Sequence, residues 1–115
     1  MNSCQKGKRG EREWAEFMRD HYGLAARRGA QFCGSPDSPD VVGGWPGTHC
    51  EVKRVEKLNI YAAIEQAMAD CGDAIPYVAH RANGRIWLVT HRASDWLALA
   101  DIVFGQTPLK LVDPA

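Results

Sequence analysis

Apolar positions along the chain fall into two periods. From about Gly10 to Tyr22, Trp14, Phe17, Met18 and Tyr22 recur at spacings of three and four, which predicts one face of an amphipathic helix ended by Gly23. Residues 1 to 9 lack that period and read as a mobile, basic arm. Leu24 to Arg28 reads as a short strand, and Gly29 to Ser38, rich in Gly, Pro, Ser and Asp, as a loop. Val41-Val42 then opens a strand that turns at Trp45-Pro46-Gly47-Thr48, where Pro presets φ and Gly accepts a positive one. In the returning strand, side chains alternate, so His49, Glu51 and Lys53 share one face while Thr48, Cys50 and Val52 take the core face.

A second helix is predicted from about Asn59, a plausible N-cap, to Cys71, with Ile60, Ala63, Ile64, Ala67, Met68 and Cys71 forming its apolar face. Ile75–Ala82 and Arg85–Thr90 flank Asn83-Gly84, a strong hairpin signal, and Ile75, Val78, Ile86 and Leu88 are expected at the centre of the sheet. A third helix, about Ser94 to Ala100, is expected to bury Trp96, Leu97 and Leu99 in part. Residues 101 to 115 have no clear period and read as an arm across a partner subunit or a loose end. The order α-β-β-β-α-β-β-α is that of an α/β fold, a mixed sheet with a crossover helix and helices on its faces.

Composition narrows the function classes. A chain of 115 residues holds one core, so residues 1–115 read as a single domain. No apolar run approaches the ~20 residues that span a bilayer, and Met-Asn-Ser-Cys-Gln-Lys is not the start of a signal peptide. A cytoplasmic location is expected, with no membrane partner. Cys4, Cys33, Cys50 and Cys71 are widely spaced, which argues against zinc ligation or a disulfide framework. Net charge is zero, unlike a strongly basic nucleic-acid binder. The charge is unevenly placed, however: residues 1 to 28 carry seven basic against four acidic side chains, a net of +3.

The candidate chemistry lies in Pro39-Asp40 and Glu51-Val52-Lys53. Pairing across the Trp45–Thr48 turn would bring Asp40 close to Glu51. Two carboxylates about 4 Å apart repel by about 4 kcal/mol at an effective dielectric near 20. A divalent cation removes that penalty, and hard oxygen ligands favour Mg2+ or Mn2+. Lys53 on the same face suits orienting a water or stabilising charge on a phosphate. The alternative is a solvated strand face with a Glu–Lys pair. Glu11 sits near the buried side of the first helix, an odd place for an acid without a partner; it is a candidate third carboxylate, or else stabilises the helix N-terminus. Asp37 is a rival to Asp40, but Asp40 follows Pro and directly precedes Val41-Val42.

Pro39-Asp40 with Glu51-Val52-Lys53 resembles the PD-(D/E)xK nuclease signature. With Gly10-Glu11-Arg12 and the helical Gln66, the chain is similar to archaeal-type, Hjc-like Holliday junction resolvases, including phage-encoded members, over about residues 6 to 100. The resemblance implies a restriction-endonuclease-like α-β-β-β-α-β core. It also implies a metal-dependent endonuclease of DNA recombination and repair, acting as a homodimer on four-way junctions. Asp40, Glu51 and the Val52 carbonyl would hold Mg2+ or Mn2+, with Glu11 completing the site or holding a second ion. Lys53 would position the attacking water and Gln66 would support the site, although a solvated Gln66 is the alternative. Arg28, Gln31 and Ser35 flank the site in a loop that helps hold DNA in the family, and Lys6, Lys8, Arg9 and Arg12 would meet phosphates unless they only solubilise the N-terminus. Alternatives are a nuclease for other branched or duplex DNA and a DNA-binding module without catalysis.

Overall fold

The computed structural model describes residues 3–29 and 40–106, with side chains for residues 7–29 and 40–105. The first helix, α1 (Ser3–Tyr22), begins two turns earlier than the apolar period predicts, so the basic N-terminal residues continue the helix and do not form a mobile arm. Gln, Lys and Arg are good helix formers, and Gly7 and Gly10 disguise the extension, because a helical Gly ordinarily costs about 1 kcal/mol relative to Ala. Gly10 is where α1 crosses β3 (Thr48–Arg54): a Cβ there would lie 2.8 Å from Arg54 Cβ. Gly10→Val is therefore expected to push α1 off β3 and lower stability by about 1–3 kcal/mol, the usual range for overpacking; denaturant unfolding checks it.

The short strands β1 (Arg27–Arg28) and β2 (Val41–Val42) pair antiparallel with each other. A second sheet, in the order β3-β4-β5, is mixed: β3 runs parallel to β4 (Ile75–Arg81), and β5 (Leu88–Thr90) is antiparallel to β4. The β2–β3 ladder expected across Trp45–Thr48 is thus replaced by β2–β1 pairing. Gly43 explains the early end of β2. Its φ is +77°, and a Cβ there would lie 2.2 Å from the Ala25 carbonyl oxygen, so the chain bends sharply against the segment before β1.

The crossover from β3 to β4 is helix α2 (Ile60–Asp70), N-capped by Asn59, whose Oδ1 accepts a hydrogen bond from the Ala62 amide at 3.1 Å. Cys50 and Val52 of β3 join Tyr77 and Ala79 of β4 under Trp14, Ala15 and Met18 of α1. On the other side, Val78 packs with Ala63 and Ala67 of α2. Met68 at the end of the predicted α2 stripe is exposed, and Cys71 is half-buried. Among the described residues, no helix is long and apolar enough to cross a membrane.

Two apolar expectations are corrected. Ile86 precedes β5 in an exposed loop and Leu88 lies on the edge strand, so both face solvent; the centre of the sheet is filled by Pro76, Tyr77, Val78 and Ala79. The last helix, α3 (Trp96–Gln106), follows a 3-10 turn at Ala93–Asp95 and runs six residues beyond Ala100. Its inner stripe of Leu99, Ile102 and Val103 is half-buried, while Trp96 and Leu97, expected to be partly buried, are exposed together with Phe104. A cleft of about 470 Å³ separates α3 from α1, lined by Trp14, Tyr22, Trp45, Tyr77, Leu99 and Val103 among others.

Candidate active site

The open edge of β3 positions the site. Asp40 hooks onto that edge twice: its amide donates to the Cys50 carbonyl at 3.2 Å, and its Oδ2 accepts from the Val52 amide at 2.7 Å. In a strand, the N–H and C=O of one residue point the same way, so the Val52 carbonyl is directed to the side where Asp40 lies. Asp40 therefore reaches β3 without the predicted hairpin ladder, and one of its carboxylate oxygens is fixed by the backbone.

Glu51, between Cys50 and Val52, is 4% exposed. Its Oε1 lies 3.5 Å from Nε2 of His49, itself 5% exposed. Both acids make themselves felt at Cys50: burial pushes this thiol far above its ordinary range, and the negative charges of Asp40 and Glu51 push it further. Asp40 is thus bonded to the two residues that flank Glu51 in sequence. Cys50 and Cys71 are free thiols.

Lys53 and Gln66 meet across the gap between β3 and α2, Lys53 Nζ donating to Gln66 Oε1 at 3.1 Å. Gln66 is exposed along its helix yet turned to the site lysine. Glu11, 8% exposed, has the partner its burial requires: Arg28 Nε donates to its Oε2 at 3.0 Å. Arg28 is therefore directed at Glu11 within the protein. Arg9 pairs with Glu13 at 3.4 Å, whereas Lys8 and Arg12 make no ion pair among the described residues. Gln31 and Ser35, the Pro39 of the motif and the side chain of Lys6 lie outside the described residues.

One cluster is absent from the sequence reading. Glu13 Oε2 accepts from Arg54 Nε at 2.9 Å and lies 4.0 Å from Arg81 Nη1, tying α1 to the ends of β3 and β4. Arg54 also donates to Asn83 in the β4–β5 turn. The i,i+4 spacing of Arg9 and Glu13 was a usable signal for part of it. The links to Arg54 and Arg81 depend on tertiary pairing alone.

Among the described residues, no three His, Cys, Asp or Glu side chains gather closely enough to form a ligand set by themselves. The donor types along this stretch of β3, the Asp40 and Glu51 carboxylates and the Val52 carbonyl, are nonetheless the hard oxygen donors that suit a divalent ion. Mg2+ ordinarily takes one or two carboxylates and fills its remaining positions with water. A carboxylate buried as deeply as Glu51 also needs a positive partner close by.

A three-stranded mixed sheet flanked by helices defines an α/β protein. Comparison with known proteins then fixes the family. Residues 2–101 match the model of the archaeal Holliday junction resolvase (Hjc) family, and the chain belongs to that family. It is similar to the crystal structure of Hjc, a Holliday junction resolvase from the archaeal hyperthermophile Archaeoglobus fulgidus, with 29% identity and a TM-score of 0.51 over 75% of this chain and 72% of that one. No curated protein sequence matches the chain. The family is one of resolvase-type endonucleases, and the fold expected from the sequence is the one found.

Proposed function

We propose that the protein is a metal-dependent endodeoxyribonuclease that resolves four-way DNA junctions as a homodimer. The observation that carries this reading is Asp40, pinned by the Val52 amide beside the buried Glu51 on the open edge of β3. Asp40, Glu51 and the Val52 carbonyl hold Mg2+ or Mn2+, and Glu11, one helix away and balanced by Arg28, completes the site. When bound, such an ion lowers the pKa of a water and offsets charge developing on the phosphate. Lys53, steered by Gln66, orients the water and faces the scissile phosphate. Such a reaction on cellular DNA belongs in the cytoplasm.

Two symmetric cuts at one junction require two sites, and a C2 dimer supplies them. The dimer surface is the outer stripe of α3. This helix is apolar on both sides, a pattern that calls for burial all round, yet Trp96, Leu97 and Phe104 are 66%, 79% and 60% exposed. Val89 on the edge strand β5, 47% exposed, faces the same side of the sheet as α3 and adds to its apolar surface. Leu97→Glu is expected to shift the protein to monomer in sedimentation velocity at unchanged helical content; a monomeric wild type would contradict the assignment.

Lys8 and Arg12, one turn apart on α1 and in no ion pair among the described residues, would meet phosphates, with Lys6 and Arg9 on the same helix. A dimer presents them twice, and a branched junction meets more of them than a straight duplex. Each phosphate neutralised steepens the log–log salt dependence of binding by roughly 0.9. In Ca2+ or EDTA, junction binding is expected to be tighter and steeper in salt than binding to duplex of equal length. Replacing Lys8 and Arg12 together by Ala should flatten the junction slope by roughly 4, two residues in each of two protomers. Equal affinities and equal slopes on the two DNAs would remove the junction preference while leaving a general nuclease.

A further inference from the structure

We propose that His49 is a positioning residue of the site: its Nε2 holds one oxygen of Glu51 and turns the other toward the ion-binding edge of β3. This rests on the metal-site reading above. His49 and Glu51 stand two apart on one strand and so share a face, and both are almost wholly buried. Nε2 of His49 lies 3.5 Å from Glu51 Oε1 and has no hydrogen-bond partner among the described residues. Buried ring nitrogens nearly always find a partner, and a movement of a few tenths of an ångström supplies this one. With Nε2–H donating to Oε1, the free direction of the Glu51 carboxylate is Oε2.

Asp40 is already arranged in that manner. The Val52 amide holds its Oδ2 at 2.7 Å, so this carboxylate too is anchored by a fixed donor on the strand. Each acid would then be held in one orientation by a neighbouring donor, a geometry that favours an ion demanding octahedral placement. Packing gives no reason for an imidazole at position 49. Its register neighbour on β4 is Pro76, fully buried, and an aliphatic side chain would fill the same space without an unpaired nitrogen.

Calorimetric titration of Mn2+ into the wild type, His49→Leu, His49→Gln and Glu51→Gln tests the proposal without recourse to cleavage. Groups that orient a metal ligand typically contribute 10–100-fold in metal affinity. His49→Leu is expected to weaken Mn2+ binding by about tenfold or more, while the melting temperature of the metal-free protein holds or rises. His49→Gln, whose amide nitrogen can take the place of Nε2, should restore affinity to within about threefold of wild type. If His49→Leu does not fold, His49→Met takes its place in the same comparison. Wild-type affinity in the Leu or Met variant, or His49→Gln binding as weakly as they do, overturns the role of His49 while the metal site stands. If the wild type binds no Mn2+, the metal site falls and this inference falls with it.

Discussion

Glu51→Gln is expected to abolish cleavage while the protein stays folded and still binds junction DNA. The substitution keeps the size of the side chain and removes one charge from a position only 4% exposed. Stability should hold or improve, because the variant no longer buries an ion whose described partner is an imidazole 3.5 Å away. A divalent ion at the proposed site, in contrast, loses one of its anionic ligands. Ion-assisted stabilisation of the transition state is worth several kcal/mol, and about 4 kcal/mol corresponds to roughly a thousandfold in rate. Junction binding should survive or strengthen, since a negative charge near phosphate is gone. The check is a single-turnover cleavage rate beside an electrophoretic binding titration. Cleavage within tenfold of wild type would remove Glu51 from the site.

Trp14→Ala carries the largest expected loss of stability. Trp14 is 1% exposed and joins the α1 face of the sheet, where Cys50, Val52, Tyr77 and Ala79 lie. Its ring stacks on Phe17 at 5.3 Å and lies 5.1 Å from Trp87, with Tyr22 edge-on at 6.3 Å. Removing a buried Trp ordinarily costs about 3–5 kcal/mol, a large share of the 5–15 kcal/mol that holds a domain of this size. The melting temperature should fall by roughly 15 °C, and Trp14→Phe should recover much of it. Glu11 lies one turn upstream on the same helix, so a loosened α1 also misplaces that acid. A loss under 1 kcal/mol would show that α1 is not seated on β3 through Trp14.

What could be read directly was local. The Asn83-Gly84 turn, the Asn59 cap, the period of α1 and the alternation along β3 each depend on residues a few positions apart, and each is found in the structure. Asp40 does lie against β3, bonded to Cys50 and Val52, but by its own hydrogen bonds and not by the hairpin pairing expected from the Trp45–Thr48 turn. Pairing between distant segments was not legible. Whether Val41-Val42 lies on β1 or β3 is decided by the bend at Gly43 against Ala25. The partner of Glu11, Arg28, is 17 residues away, and that of Lys53, Gln66, is 13 away. Nothing in Ile86 or Leu88 as residues says that β5 ends the sheet and leaves them in solvent. The extension of α3 escaped for another reason: a helix apolar on both faces has no amphipathic period to detect.

The central claim is tested most directly by one gel. A labelled four-way junction, a duplex of the same length and a single strand are incubated with wild-type protein in Mg2+, in Mn2+ or in EDTA. Paired, symmetric nicks in the junction with Mg2+ or Mn2+, little cutting of duplex or single strand, and none in EDTA are the expected result. An intact junction in both metals, or equal cutting with EDTA present, would contradict it.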